Sequence, residues 1–120
     1  MSHGAVDAAR SAMRTLGIRL HTVSDPRSAR YRWQLTAANG RVIAMSQTTF
    51  DAPADALSAF EAVCAAAETL GVVVTHPAGR RGWTWLASDE TGDVVACSTR
   101  TYERRATCQR SYEQFLRVLG

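Results

Sequence analysis

The chain contains no lysine. All 14 of its basic residues are arginines, and together with the abundance of alanine this reads as coding bias in a GC-rich genome, not selection for a ligand. A large excess of either charge is also missing. The net charge is +3, carried by residues 1–60 with seven arginines against four acids, while residues 61–120 balance seven against seven. Dedicated nucleic-acid binders show a clustered basic face, so specific nucleic-acid binding is not expected. The N-terminus lacks an apolar signal region, because Asp7, Arg10 and Arg14 interrupt it, and no stretch reaches the length of a membrane span. The three cysteines (Cys64, Cys97, Cys108) form no Cys-x-x-Cys pair. An odd count without secretion features points to free thiols in a reducing cytoplasm. Gly-rich phosphate loops, nucleophile elbows and zinc-ligand spacings are absent as well. The sequence therefore offers no catalytic, cofactor-binding or metal-binding set; the expectation is a non-enzymatic protein without cofactor or metal.

What is present is a repetition. Trp33 recurs as Trp85, Asn39-Gly40-Arg41-Val42-Ile43-Ala44-Met45-Ser46 as Thr91-Gly92-Asp93-Val94-Val95-Ala96-Cys97-Ser98, and Phe50 and Phe60 as Tyr102 and Tyr112. One offset of 52 residues holds throughout, giving eight identities in the 34 positions from Tyr31/Trp83 to Cys64/Leu116 without a gap. A period this long marks one supersecondary unit used twice. The shared residues are turn and core types, so the repeat speaks to architecture more than to chemistry.

Each copy reads as three strands and a helix. The first strands are Ile18–Val23 and Val72–His76, followed by polar, proline-containing loops. A hairpin comes next, with Asn39-Gly40 predicting a type I′ turn and Thr91-Gly92 a weaker version of it. Alternation from that turn places Tyr31, Trp33, Leu35, Ala37, Val42 and Ala44 on one face, and Arg32, Gln34, Thr36, Ile43 and Met45 on the other. The matching apolar face of the second copy is Trp83, Trp85, Ala87, Val94 and Ala96. Helical stripes follow at Ala56, Phe60, Val63, Cys64, Ala67 and at Cys108, Tyr112, Phe115, Leu116, Leu119. Asp51 and Pro53 supply start chemistry for the first helix and Gly71 ends it. A further helix is expected near the N-terminus, with Val6, Ala9, Met13 and Leu16 on one side and Ser2 as its cap. The expectation is an α+β fold: a tandem repeat of βββα units sharing one antiparallel sheet, helices on one face, plus the extra helix. The whole chain, 1–120, is expected to be a single domain, with residues 3–17 the N-terminal helix, 18–70 the first repeat and 71–120 the second.

The segment Tyr31 to Ser46 resembles the signature of the YegP-like domains: aromatic-x-aromatic-x-Leu-x-Ala-x-Asn-Gly-x-x-Ile-Ala-x-Ser, then an aromatic residue (Phe50) and an Ala-rich helix. The second copy departs from it, with Thr91 for Asn, Ala87 for Leu and Asp89 for Ala. The resemblance covers residues 18–119. It implies two βββα units, as tandem repeats or as two subunits, assembled around one antiparallel sheet; it implies no activity and no catalytic residues.

The residues that could carry chemistry each have a structural reading. Cys64 lies on an apolar stripe, Cys97 faces away from the Trp side, and Cys108, beside Arg104 and Arg105, is the thiol best placed to react. His21 and His76 follow Gly17 and Gly71 at similar positions but lack a third ligand at a metal spacing. Glu61 and Glu113 are identical acids at equivalent positions and are expected to solvate helix flanks. Arg27, Arg30 and Arg32 surround Tyr31 and Trp33, and Arg80 and Arg81 precede Trp83 and Trp85, a mixture that in several modules stacks single-stranded bases. Alternation nevertheless puts the rings with the core aliphatics. The leading expectation is a small interaction module, binding a protein partner or its own copy through apolar residues on the wet sheet face, namely Ile43, Met45, Leu86 and Val95. The alternatives are a weak, sequence-tolerant nucleic-acid binder using the loop arginines and, last, an enzyme with a reactive cysteine.

Overall fold

A computed structural model describes residues 2–79 and 81–120; the side chains of Ser2, His3 and Ala5 lie outside the described residues, and with them the expected Ser2 cap. The elements run α1 (Ser2–Leu16), β1 (Arg19–Asp25), β2 (Arg30–Thr36), β3 (Val42–Met45), α2 (Pro53–Ala65), β4 (Gly71–Thr75), β5 (Thr84–Ser88), β6 (Val94–Cys97) and α3 (Arg105–Leu119), with a 3-10 turn at Ala67–Thr69. The six strands form one antiparallel sheet in the order β1-β2-β3-β6-β5-β4. β3 and β6 meet at its centre through Met45 opposite Cys97, and β1 and β4 are its edges.

Alternation decides which side of the sheet is covered. In β2 and β5, Trp33, Leu35, Trp85 and Ala87 are fully buried, while Arg32, Gln34, Thr84 and Leu86 between them are only half-buried. Trp33 meets Phe60 of α2 edge-on, with ring centres 5.1 Å apart, and stacks on Phe115 of α3 at 6.4 Å; Trp85 stacks on the same Phe115 at 5.1 Å. The helices therefore lie on the tryptophan face. α1 packs against both α2 and α3, burying Ala9 and Met13. Leu16, expected on the same side, is 39% exposed, because it closes the helix just before the Gly17 turn into β1.

The backbone hydrogen bonds themselves recur 52 residues apart. Ser46 N donates to Trp33 O (3.0 Å) as Ser98 N does to Trp85 O (3.1 Å), and the pair Tyr31–Phe50 is matched by Trp83–Tyr102.

The hairpin turns differ from the type I′ expectation. Among the described residues only Ala29 is a non-glycine with positive φ, so Asn39 and Thr91 are not left-handed. Instead Ala37 N bonds to Arg41 O and Gly40 N to Ala37 O, matched by Asp89 N to Asp93 O and Gly92 N to Asp89 O. This is a three-residue loop whose single left-handed position is glycine, Gly40 (φ 84) or Gly92 (φ 88). The register beyond the loop then shifts: Thr36 faces Val42 but Leu35 faces Ala44, and Ser88 faces Val94 but Ala87 faces Ala96. One extra residue, Ile43 or Val95, is taken up by each bulge. Ile43 is consequently 5% exposed and part of the core, and Val95 packs against it, whereas Val42 and Val94 are not core members. The expected face of Ile43 and Val95 is corrected accordingly, while Val42 and Val94 stay on the helix side at its margin. The apolar set on the helix-free face keeps Met45 and Leu86 but loses Ile43 and Val95.

Other expected ends also move. Asp51 does not cap α2; the cap position is Ala52, which makes no side-chain cap bond, with Pro53 opening the helix, and Asp51 instead pairs with Arg30. Gly71 opens β4, because α2 stops at Ala65 and a 3-10 turn fills the gap.

Candidate functional site

Two grooves lie on the helix side, and they are built from equivalent positions. The first, about 390 Å³, runs between the β2–β3 hairpin and α3; it includes Arg41, Val42, Ile43, Arg100, Tyr102 and Ser111. Subtracting or adding 52 gives Asp93, Val94, Val95, Thr48, Phe50 and Ala59, all of which line the second groove, about 700 Å³, between the β5–β6 hairpin and α2. Each groove thus pairs a hairpin of one half with the helix of the other. Both volumes fall in the ~300–1,000 Å³ range of small-molecule sites.

The shared geometry carries opposite chemistry. Arg41, Arg100 and Arg110 line the first groove with no acid among its walls; Asp89 and Asp93 line the second with no base. Arg100 lies over the Tyr102 ring, 5.1 Å from its centre, and Arg110 reaches Thr107 Oγ1 at 3.5 Å. Asp89 is tied into its own turn, its Oδ1 accepting from Thr91 N, Thr91 Oγ1 and Asp93 N. Those bonds, the Thr91 hydroxyl first, hold its carboxyl below the usual carboxylate range. The turn is accordingly tightest above that range and loosens as pH falls below it. The replacement of Ala by Asp89, a departure from the YegP-like pattern, is thus the turn's own acceptor.

The sharpest difference between the halves sits beneath the grooves. Trp85 Nε1 donates to Ser111 Oγ at 3.0 Å, and the same oxygen receives the Tyr102 hydroxyl at 2.9 Å. The equivalents of Ser111 and Tyr102 are Ala59 and Phe50, neither of which offers an oxygen. Trp33 Nε1 is buried and has no hydrogen-bond partner among the described residues. An unmet buried donor costs about 1–3 kcal/mol. The 52-residue offset pairs Phe50 with Tyr102, read as aromatic-for-aromatic, and Ala59 with Ser111. The lost hydroxyls were the available signal.

The residues singled out from sequence are not brought together. All three cysteines are buried and free. Burial pushes the Cys64 thiol up to about 11, with Glu61 adding to it; burial also raises Cys97 and Cys108, against the pull of Arg32 and Arg105 respectively. Each is a neutral thiol at pH 7. His21 lies on edge strand β1, whereas His76 follows the opposite edge strand, its Nδ1 2.7 Å from Gly82 O and its ring 3.7 Å from that of Trp83. Arg105 lies over the same indole at 5.8 Å, so Trp83 is occupied by the protein's own side chains. Glu61 and Glu113 are exposed on separate helices. Among the described residues no group of three or more His, Cys, Asp or Glu side chains is placed to hold a metal ion, and no helix is long and apolar enough to cross a membrane.

The arginines sort differently from the expectation. Arg30 is bound to Asp51, Thr49 Oγ1 and Thr49 O, and Arg32 to Ser46 O at 3.2 Å and the Met45 sulfur at 3.7 Å. Arg27 and Arg81 are exposed, and Arg80 lies outside the described residues. The basic set that shares one site is Arg41, Arg100 and Arg110.

No protein-family model and no curated protein matches the chain. Among solved structures, a UPF0339 protein from Shewanella oneidensis, determined in solution by NMR, is similar to it at a TM-score of 0.65 and 13% identity, over 83% of this chain and 82% of that one. The six-stranded antiparallel sheet with its three helices is thus a fold shared with a UPF0339 protein.

Proposed function

We propose that the chain is a non-enzymatic interaction module made of two βββα units in tandem, and that its partner is a second copy of itself, paired along β4. The recurrence of hairpin, bulge and bridge hydrogen bonds at an offset of 52 supports the two-unit reading. The observation that carries the interaction is the edge strand β4. Its sequence, Gly71-Val72-Val73-Val74-Thr75, has no charge, no proline and no bulge. Val73 at its centre is 59% exposed. The other edge, β1, carries Arg19, His21 and Asp25. Sheet proteins blunt open edges with charges, proline or bulges, and an unprotected one is a template for another strand. Val73 also ends a row that crosses the helix-free face through directly paired residues: Leu86, Cys97 and Met45. Apolar contact would thus back the strand pairing. Sedimentation of the full chain should show a dimer at micromolar concentration, and Val73→Lys should give a monomer with an unchanged circular dichroism spectrum. A wild-type monomer at high concentration would end this reading.

One observation favours a second reading. Arg41, Arg100 and Arg110 form an acid-free groove that could meet phosphates of a single strand. Three such contacts give a slope of about −0.7 per phosphate in log K against log salt. Binding of a labelled oligonucleotide should be weak and should disappear near physiological salt. Sequence-selective binding that survives that salt would put nucleic acid first.

A further inference from the structure

Trp33 is completely buried and its indole N–H has no acceptor. Its counterpart Trp85 shows where that N–H points, since the Trp85 donor meets Ser111 and, through it, Tyr102. The equivalent positions, Ala59 and Phe50, line the larger groove together with Trp33 itself. The loss of two hydroxyls therefore leaves a donor unmet beside open space. The apolar walls there are Ala62, Val63, Val94 and Val95, Gln47 and Thr48 add neutral polar groups, and Asp89 and Asp93 supply the charge at the hairpin side. A mostly apolar lining with a few placed polar groups, here headed by the unmet indole N–H, is the usual make-up of a small-molecule pocket.

We infer that this groove binds a small, largely apolar molecule without negative charge, whose carbonyl or hydroxyl oxygen accepts the Trp33 Nε1 hydrogen. The aspartates disfavour carboxylates by like-charge repulsion. The twin groove cannot serve the same ligand: Ser111 already satisfies its indole, and its charge is basic. This site is separate from the β4 edge, so it stands or falls independently of self-association.

The test reads the indole N–H signals of Trp33, Trp83 and Trp85 in the ¹H–¹⁵N spectrum of the full chain. The probes are acetophenone, ethylbenzene (nearly the same shape without the oxygen) and benzoate. Acetophenone should shift the Trp33 indole signal saturably and leave Trp85 unmoved. Ethylbenzene should bind roughly five- to tenfold more weakly, the worth of one hydrogen bond, and benzoate should not saturate. Ala59→Ser supplies the acceptor that Ser111 provides in the other half, and should weaken acetophenone at least about tenfold while keeping a dispersed spectrum. Ala62→Phe, at an exposed wall position, should block the groove without adding an acceptor and abolish the shift. Equal affinity for acetophenone and ethylbenzene, an unmoved Trp33 signal at the solubility limit, or full binding by either variant would overturn the inference.

Discussion

Truncating Trp33 or Trp85 to alanine should lower unfolding stability by about 3–5 kcal/mol, the usual cost of removing a large buried aromatic. Both rings are fully buried, and both stack on Phe115, so either deletion leaves a void that the other half must share. A domain of this size holds about 5–15 kcal/mol in total. Either change therefore removes a large fraction of it. The two rings should part company on milder substitution. Trp85→Phe also breaks the bond to Ser111, whereas Trp33→Phe removes a donor that has no partner. Urea denaturation of the four variants measures this: the phenylalanine change should cost less at 33 than at 85, by at least about 1 kcal/mol, the net worth of the lost hydrogen bond, to which relief of the unmet Trp33 donor adds. Alanine variants within 1 kcal/mol of wild type would contradict the burial on which the fold rests.

Separating the halves should be more damaging still. Residues 1–70 and 71–120, expressed alone, should be unfolded or should associate to replace the missing half. Phe115 of α3 is the shared floor for Trp33 and Trp85, and α1 leans on both α2 and α3. The first half alone would expose Trp33 and Ile43, and the second would expose Phe115 and Trp85. Against this, the direct sheet pairing between the halves is narrow, with Met45 opposite Cys97 and Thr99 Oγ1 on Val42 O at 3.4 Å. The shared core, rather than the strand pairing, must hold the halves together. Dispersed amide shifts together with monomeric sedimentation for either half would contradict it.

Much of this arrangement follows from local pattern. Period-two alternation through Tyr31-Arg32-Trp33-Gln34-Leu35 requires a half-buried strand with both Trp33 and Leu35 inward, and the structure buries both. The i, i+4, i+7, i+8 spacing of Ala56, Phe60, Val63 and Cys64 names the buried face of α2, whereas Ala67, the fifth residue of the expected stripe, lies in the 3-10 turn and is only partly buried. In α3 the same rule finds Cys108, Phe115 and Leu119 but passes over Val118, which is also buried, because α1 as well as the sheet packs on that helix.

The turns were legible only as turns. Asn39-Gly40 demands a reversal, yet whether one or both residues go left-handed depends on how the flanking strands pair. A three-residue loop with a bulge leaves Asn39 in an ordinary conformation and turns Ile43 inward. One inserted residue reverses parity, and no single-strand pattern reports an insertion that exists only relative to its partner.

The candidate site belongs to the tertiary level for the same reason. The groove beside Trp33 joins α2 of one half to the β5–β6 hairpin of the other, residues 23 to 36 positions apart in the chain. The repeat offset alone determined that Ala59 and Phe50 stand where Ser111 and Tyr102 do. Only the packed structure decided that this exchange leaves a buried N–H without an acceptor, because hydrogen-bond satisfaction is a property of what surrounds an atom in space and not of its neighbours in sequence.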